Sequence, residues 1–181
     1  KDPIIFYVDP ATEFDAYLNS SETGSIGLEA TYTVKINNLQ LNAGASYYQS
    51  HDGDSLINYS VPGNNDEHLG LSPLKTTIAG SYKITNRLSL FAGLIYYSSK
   101  VGISSVDKIS SESIYSRYDN EVNINLQVTY HHFFLKNLDL MLAAYNISDD
   151  SIQYIQPYNS NHSPLTGLGR TFSIKISYTN F

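Results

Sequence analysis

With 181 residues the chain is long enough for one domain of ordinary size, and one architecture must account for all of it. Charged residues make up 15% of it, 16 Tyr and 7 Phe raise the aromatic content to 13%, and a net charge of -6 leaves no basic footprint for a nucleic acid. The lack of Cys excludes a disulfide framework, a thiolate zinc site, a CxxC redox centre and a cysteine nucleophile, and no run approaches the roughly 18 apolar residues of a spanning helix.

From the N-terminus onward the recurrent pattern is an apolar residue at every second position, and helical spacing never persists. Lys1-Asp2-Pro3 does not open a signal peptide and reads as a processed, truncated or internal start. Residues 3–8 are a first candidate strand. In 26–36, Ile26, Leu28, Ala30, Tyr32, Val34 and Ile36 alternate with Gly27, Glu29, Thr31, Thr33 and Lys35. Asn37-Asn38 turns the chain into 39–48, where Leu39, Leu41, Ala43, Ala45 and Tyr47 take the apolar positions. Segments 74–84 and 88–97 repeat the alternation with interruptions, joined by Thr85-Asn86-Arg87. The clearest case is 121–130, where Val122, Ile124, Leu126, Val128 and Tyr130 face away from Glu121, Asn123, Asn125, Gln127 and Thr129. Leu135-Lys136-Asn137 then turns into 138–145, and a last run covers 172–178. The pattern predicts an all-β antiparallel meander of eight strands.

Connections alternate in length. Segments 50–72, 98–120 and 148–170, each about twenty residues rich in Ser, Asn, Asp, Gly and Pro, are long for a compact soluble domain. Short turns at one end and long loops at the other are what a membrane barrel has. Glu29, Lys35, Lys75, Lys83, Arg87, Glu121, Asp139 and Lys175 all fall on the polar parity, which leaves the other stripe free of charge. Tyr32, Tyr47, Tyr82, Tyr96, Tyr130 and Tyr178 lie on the apolar parity toward strand ends, as an aromatic girdle requires. A soluble barrel or sandwich has the same period with its apolar face turned inward. Strand length, connection length and the tyrosines favour the membrane.

Tyr17-Leu18-Asn19, followed by Gly27-Leu28-Glu29, is similar to a barrel motif of TonB-dependent outer-membrane receptors, with Ser21 in place of its first glycine. Asn86-Arg87-Leu88-Ser89-Leu90 resembles the start of a strand in that family. Tyr145-Asn146-Ile147-Ser148-Asp149 resembles the end of its penultimate strand, and Gly169-Arg170-Thr171-Phe172 its closing strand. The resemblance implies the last eight strands of a barrel of about 22, whose lumen holds an N-terminal plug. Residues 1–181 would then be a C-terminal part, with the plug and earlier strands absent from it. The implied function is uptake of a nutrient such as a ferric siderophore, cobalamin or an oligosaccharide across the outer membrane of a Gram-negative bacterium. The implied partners are outer-membrane lipids, the remaining barrel and plug, and the TonB complex through the missing N-terminal part. Glu29, Lys35, Asn123, Asn125, Gln127, Asp139 and Lys175 would line the lumen. Tyr178 and Phe181 would form the barrel-assembly signal, although three positions separate them where the family has two, so a bulge must absorb one residue.

The residues themselves mark no catalytic or metal site and imply no cofactor. His51, His68, His131, His132 and His162 have no metal-ligand spacing, and Asp52-Gly53-Asp54 does not continue into a calcium loop. His131 and His132, adjacent at a strand end, would point apart on a strand and read as turn surface. Two alternatives stay open. Eight strands also close a small structural or adhesive barrel by themselves, with residues 3–8 pairing with 171–178. A small outer-membrane hydrolase would need a Ser/His/acid cluster at the loop rim.

Overall fold

The period of two in the sequence becomes a sheet in the computed structural model, which describes residues 4–8, 14–19, 24–51, 60–110, 112–155 and 163–179. In chain order the strands begin with β1 (Ile4–Val8), β2 (Asp15–Asn19), β3 (Gly24–Ile36) and β4 (Leu39–His51). Then come β5 (Ser60–Val61), β6 (Asn64–His68), β7 (Leu74–Lys83) and β8 (Leu88–Tyr97). After these lie β9 (Lys100–Val106), β10 (Ser113–Tyr118), β11 (Glu121–Tyr130) and β12 (Leu138–Tyr145). The last are β13 (Gln153–Tyr154), β14 (Leu165–Thr166) and β15 (Thr171–Tyr178). Seven of them form one antiparallel sheet in the order β15-β12-β11-β8-β7-β4-β3.

Pairing tests the alternation, because each strand's apolar parity was read from that strand alone. A single row across the sheet runs Ile36, Leu39, Tyr82, Leu90, Val128, Leu142, Ile174. The adjacent row runs Lys35, Gln40, Ser81, Phe91, Gln127, Ala143, Ser173. A register slip of one residue at any ladder would mix the two sets. None occurs, so the sheet has one apolar face and one mainly polar face. The apolar face is open to the surroundings: Leu28 is 73% exposed and Ile174 74%. Among the described residues the buried apolar cluster is Val61, Leu69 and Val101, which lies in the long connections and not against the sheet.

The short turns collect at one end of the sheet. Asn37 takes a positive φ of 49°, a conformation Asn tolerates better than most residues. Thr85 Oγ1 accepts the N–H groups of Arg87 at 3.1 Å and Leu88 at 3.0 Å, closing the second turn. The third covers 131–137, longer than the three residues its composition suggested, because β11 ends at Tyr130. At the other end the long connections carry hairpins of their own, β5 with β6, β9 with β10, and β13 with β14.

Two strand expectations change. Residues 4–8 are a strand, yet they pair with β2, Ile4 opposite Asn19, in a separate two-stranded sheet. β2 itself went unmarked because Asp15–Asn19 has no clear alternation. The pairing of 3–8 with 171–178 expected of a self-closed barrel is not among those of the described residues, where β15 pairs with β12.

Candidate binding pocket on the polar face

One cross-strand row on the polar face runs Glu29, Ser46, Lys75, Tyr97, Glu121. Lys75 Nζ lies 5.6 Å from the centroid of the Tyr97 ring, a cation over a π face. Toward the long connections this row borders a cavity of about 710 Å³, lined by Tyr48, Tyr97, Tyr145 and Tyr154 with Lys75, Asn123 and Asn125. Its size and its mix of ring faces with a few polar groups are those of a small-molecule site. Tyr48 Oη and Asn123 Oδ1 are buried and find no hydrogen-bond partner among the described residues. Such atoms are costly to leave unmatched.

The wall of this cavity is locked by charge. Lys100 Nζ donates to Glu121 Oε2 at 3.0 Å and to the Gln153 carbonyl at 2.7 Å, while the Gln153 N–H donates to Glu121 Oε1 at 2.7 Å. The two side chains are only 9% and 4% exposed. A buried pair holds when its remaining lone pairs and protons are also satisfied, as the Gln153 backbone does here. A second link joins the first and second long connections, where Arg117 grips Glu67 with two bonds of 2.6 and 3.1 Å. That carboxylate pushes the Arg117 pKa up. The Val61, Leu69 and Val101 cluster and the Gly70 N–H to Val101 carbonyl bond of 2.8 Å complete the contact.

Four of the motif residues meet beneath the third connection. Asn146, 3% exposed and at φ 48°, donates its Nδ2 to the carbonyls of Asp150 (3.0 Å) and Leu168 (3.2 Å), and its N–H to Asn125 Oδ1 (3.0 Å). Asp149 Oδ1 accepts the Arg170 N–H at 2.9 Å, and Arg170 Nε donates to the Ile147 carbonyl at 3.1 Å. A Cβ on Gly169 would sit 3.1 Å from Asp149 Oδ1, a tight approach that would press on this carboxylate. Gly27 is more strictly required, since a Cβ there would come within 2.8 Å of the Tyr47 carbonyl. Tyr17 and Asn19 lie apart, in the β1–β2 sheet. Glu29, Lys35, Asn123, Asn125, Gln127, Asp139 and Lys175 all share the polar face without forming one cluster. Phe181, His162, Asp52, Gly53 and Asp54 are outside the described residues.

At the short-turn end the two adjacent histidines have an unexpected common partner. His131 Nδ1 is 2.9 Å from Asp139 Oδ2, and the His132 N–H donates to Asp139 Oδ1 at 3.1 Å. His131 Nε2 is in turn 3.0 Å from Ser89 Oγ. The order Ser, His, Asp is that of a hydrolytic triad. It sits at the end opposite the loop rim where a hydrolase site was expected. Ser89 belongs to β8, whose residues pair with both β7 and β11, so its backbone N–H groups are committed to ladders and not to an oxyanion. Among the described residues no three His, Asp or Glu side chains gather as a metal site.

Sequence reasoning missed Lys100, Gln153, Tyr48 and Ser89. The available signal was the large side chains Tyr48, Ile95, Tyr97 and Tyr145 on the mainly polar parity.

No family model matches the sequence, and no curated protein is similar to it in sequence. The fold is similar to part of three outer-membrane and siderophore receptors. The ferripyoverdine receptor of the outer membrane of Pseudomonas aeruginosa, bound to ferripyoverdine, matches with a TM-score of 0.73 at 14% identity. That match covers 94% of this chain and 21% of the receptor. The siderophore receptor PiuA of Acinetobacter baumannii gives 0.66 at 19% identity, over 98% of this chain and 24% of that one. The ferric enterobactin receptor of Pseudomonas aeruginosa gives 0.68 at 16%, over 98% and 27%. The chain therefore spans about a quarter of the length of the receptors whose barrel fold it shares.

Proposed function

We propose that these residues are the last part of the barrel wall of a TonB-dependent receptor in the outer membrane of a Gram-negative bacterium. The apolar face meets lipid, the polar face meets the lumen and plug, and the long connections are extracellular. The observation that carries this reading is the seven-strand register, which keeps one face mainly apolar and free of Asp, Glu, Lys and Arg and sets the tyrosine-lined cavity at the long-loop end of the other. The likeness to siderophore receptors supports a ferric chelate as cargo, with cobalamin and oligosaccharides in the same transport class. A chelate presents oxygen-rich and often anionic surfaces. Lys75, Asn123 and the Tyr48 hydroxyl offer matching groups, and the four tyrosine rings offer stacking faces. Gated entry requires the plug and the TonB complex, supplied from outside these residues.

Two measurements test this. Cells whose receptor carries Tyr97→Ala with Lys75→Ala should take up radiolabelled ferric chelate roughly tenfold more slowly at limiting concentration. Unchanged uptake in a deletion strain, for every chelate tried, refutes the transport role. Denaturing intact-mass spectrometry on the detergent-extracted particle should find this sequence within a longer polypeptide or in equal amount with one. The sequence alone in a folded monomer favours a self-closed barrel instead.

Hydrolysis is a second reading with one observation in its favour, the Ser89, His131, Asp139 relay. Its test is labelling by a serine-directed fluorophosphonate probe. Labelling that disappears in Ser89→Ala supports an enzyme, and its absence from the folded protein removes that reading.

A further inference from the structure

The turn at 131–137 is built differently from the other two. His132 at φ 55° and Phe134 at φ 58° both occupy the left-handed region, which a bulky aromatic residue rarely enters. The strained backbone presents Phe134 88% and Leu135 61% exposed. The Phe133 ring stands edge-on to Tyr130 at 5.9 Å and against Phe134 at 4.2 Å. Tyr130 belongs to the apolar face, so the three rings extend that face past the end of β11. Arg87 and Lys136 flank them, and neither has an ion-pair partner among the described residues. Together with His132 these side chains border an open cavity of about 720 Å³ with no carboxylate in its lining. The nearby carboxylate, Asp139, is turned to the polar face and engaged by His131 and the His132 N–H.

We propose that this cavity binds the headgroup of an anionic phospholipid in the periplasmic leaflet. The inference rests on the chain's being a membrane barrel wall with its short turns toward the periplasm. Arg87 and Lys136 meet the phosphate, and the rings of Tyr130, Phe133 and Phe134 lie at the boundary between headgroups and acyl chains, where aromatic side chains are favoured. Charge complementarity selects an anionic lipid over a zwitterionic one, because Arg87 and Lys136, without an ion-pair partner among the described residues, stand in a lining completed by Tyr130, His132, Phe133, Phe134 and Leu135, with no carboxylate.

The test uses the intact particle that carries this chain, purified from outer membranes, delipidated in detergent and titrated by native mass spectrometry. The two probes are phosphatidylglycerol and phosphatidylcholine with the same acyl chains. Each cation near the surface contributes roughly fivefold in affinity, so phosphatidylglycerol should be preferred by roughly twenty-five-fold. Arg87→Gln with Lys136→Gln should reduce that preference to near unity, while Arg87→Lys keeps it. Phe134→Ala should weaken both lipids alike. Heat-modifiable migration on gels shows that each variant remains a folded barrel. Equal retention of the two lipids, or a preference that survives the double substitution, overturns the headgroup site and leaves the membrane wall intact. Lipopolysaccharide found in this cavity instead overturns the leaflet assignment and with it the proposal. A chain absent from the membrane fraction overturns the underlying reading as well.

Discussion

The two ends of the same seven strands are organised on opposite terms. At the long-loop end one ion pair, Lys100 with Glu121, is withdrawn from water, Arg117 grips Glu67, and a small apolar cluster holds neighbouring connections together. At the short-turn end Arg87 and Lys136 are exposed, and rings stand outward. The difference teaches that this fold does not centre on an interior. Order at one end comes from connections packed on each other, while the other end offers its groups to whatever surrounds it.

The sharpest way to break the comparison is to leave one charge of the buried pair alone. Glu121→Gln should destabilise the long-loop end by about 3–5 kcal/mol, because the Lys100 charge stays buried without its partner. Hydrogen exchange should then speed up in β9, β10 and β13 and stay unchanged around 85–87. Lys100→Met combined with Glu121→Leu should recover most of the loss. Next comes a charge in the outward row. Leu126→Arg should cost about 2–4 kcal/mol in lipid vesicles, whereas Gln127→Arg, one residue away on the other face, should cost far less. Equal costs for the two would mean that the apolar face does not meet lipid.

Smaller effects refine the picture of the connections. Arg117→Lys loses the two-pronged grip on Glu67 and should cost about 1 kcal/mol or less, since the guanidinium is half exposed. Its signature is faster exchange confined to the β9–β10 hairpin. The mildest test concerns Asp107. The N–H groups of Ser110 and Ile109 hold its carboxyl below the usual range. The turn's contribution is therefore complete above the ordinary carboxylate pKa and is lost only as pH falls through the depressed one. Amide exchange at Ile109 and Ser110 should rise only in that acidic window, and Asp107→Asn should remove the pH dependence.

What was legible in the sequence follows from how far each signal reaches. Alternation is local, so β8, β11 and β12 have the bounds that 88–97, 121–130 and 138–145 suggested, and the other strands of the sheet that the sequence marked differ by a few residues at their ends. The Tyr145 to Asp149 and Gly169 to Arg170 motifs also named residues that meet, because they flank one connection and are joined by the bonds of Arg170 to Asp149 and Ile147. The hairpins β5–β6 and β9–β10 were not legible. Neither has a clean two-sided pattern, and they are held by contacts such as Arg117 with Glu67, fifty residues apart. The cavity escaped for the same reason, since Lys100 and Gln153 come from different connections. Ser89 and His131, forty-two residues apart, meet only once β8 and β11 are paired in register.

Tyr32, expected near a strand end, is paired with Ala43 midway along the wall, but four other outward tyrosines measure something. Tyr82 lies level with Leu39, eight residues along β4 from Tyr47, and Tyr96 lies level with Val122, eight residues along β11 from Tyr130. Eight steps of about 3.4 Å, on strands tilted by about 40°, separate the two aromatic rows by roughly 20 Å of height. That is short of the ~30 Å hydrocarbon thickness of an average bilayer and suits the thinner bacterial outer membrane. The same strands in a thicker membrane would pull both rows into the acyl region, so their spacing works as a gauge that matches the wall to one kind of bilayer.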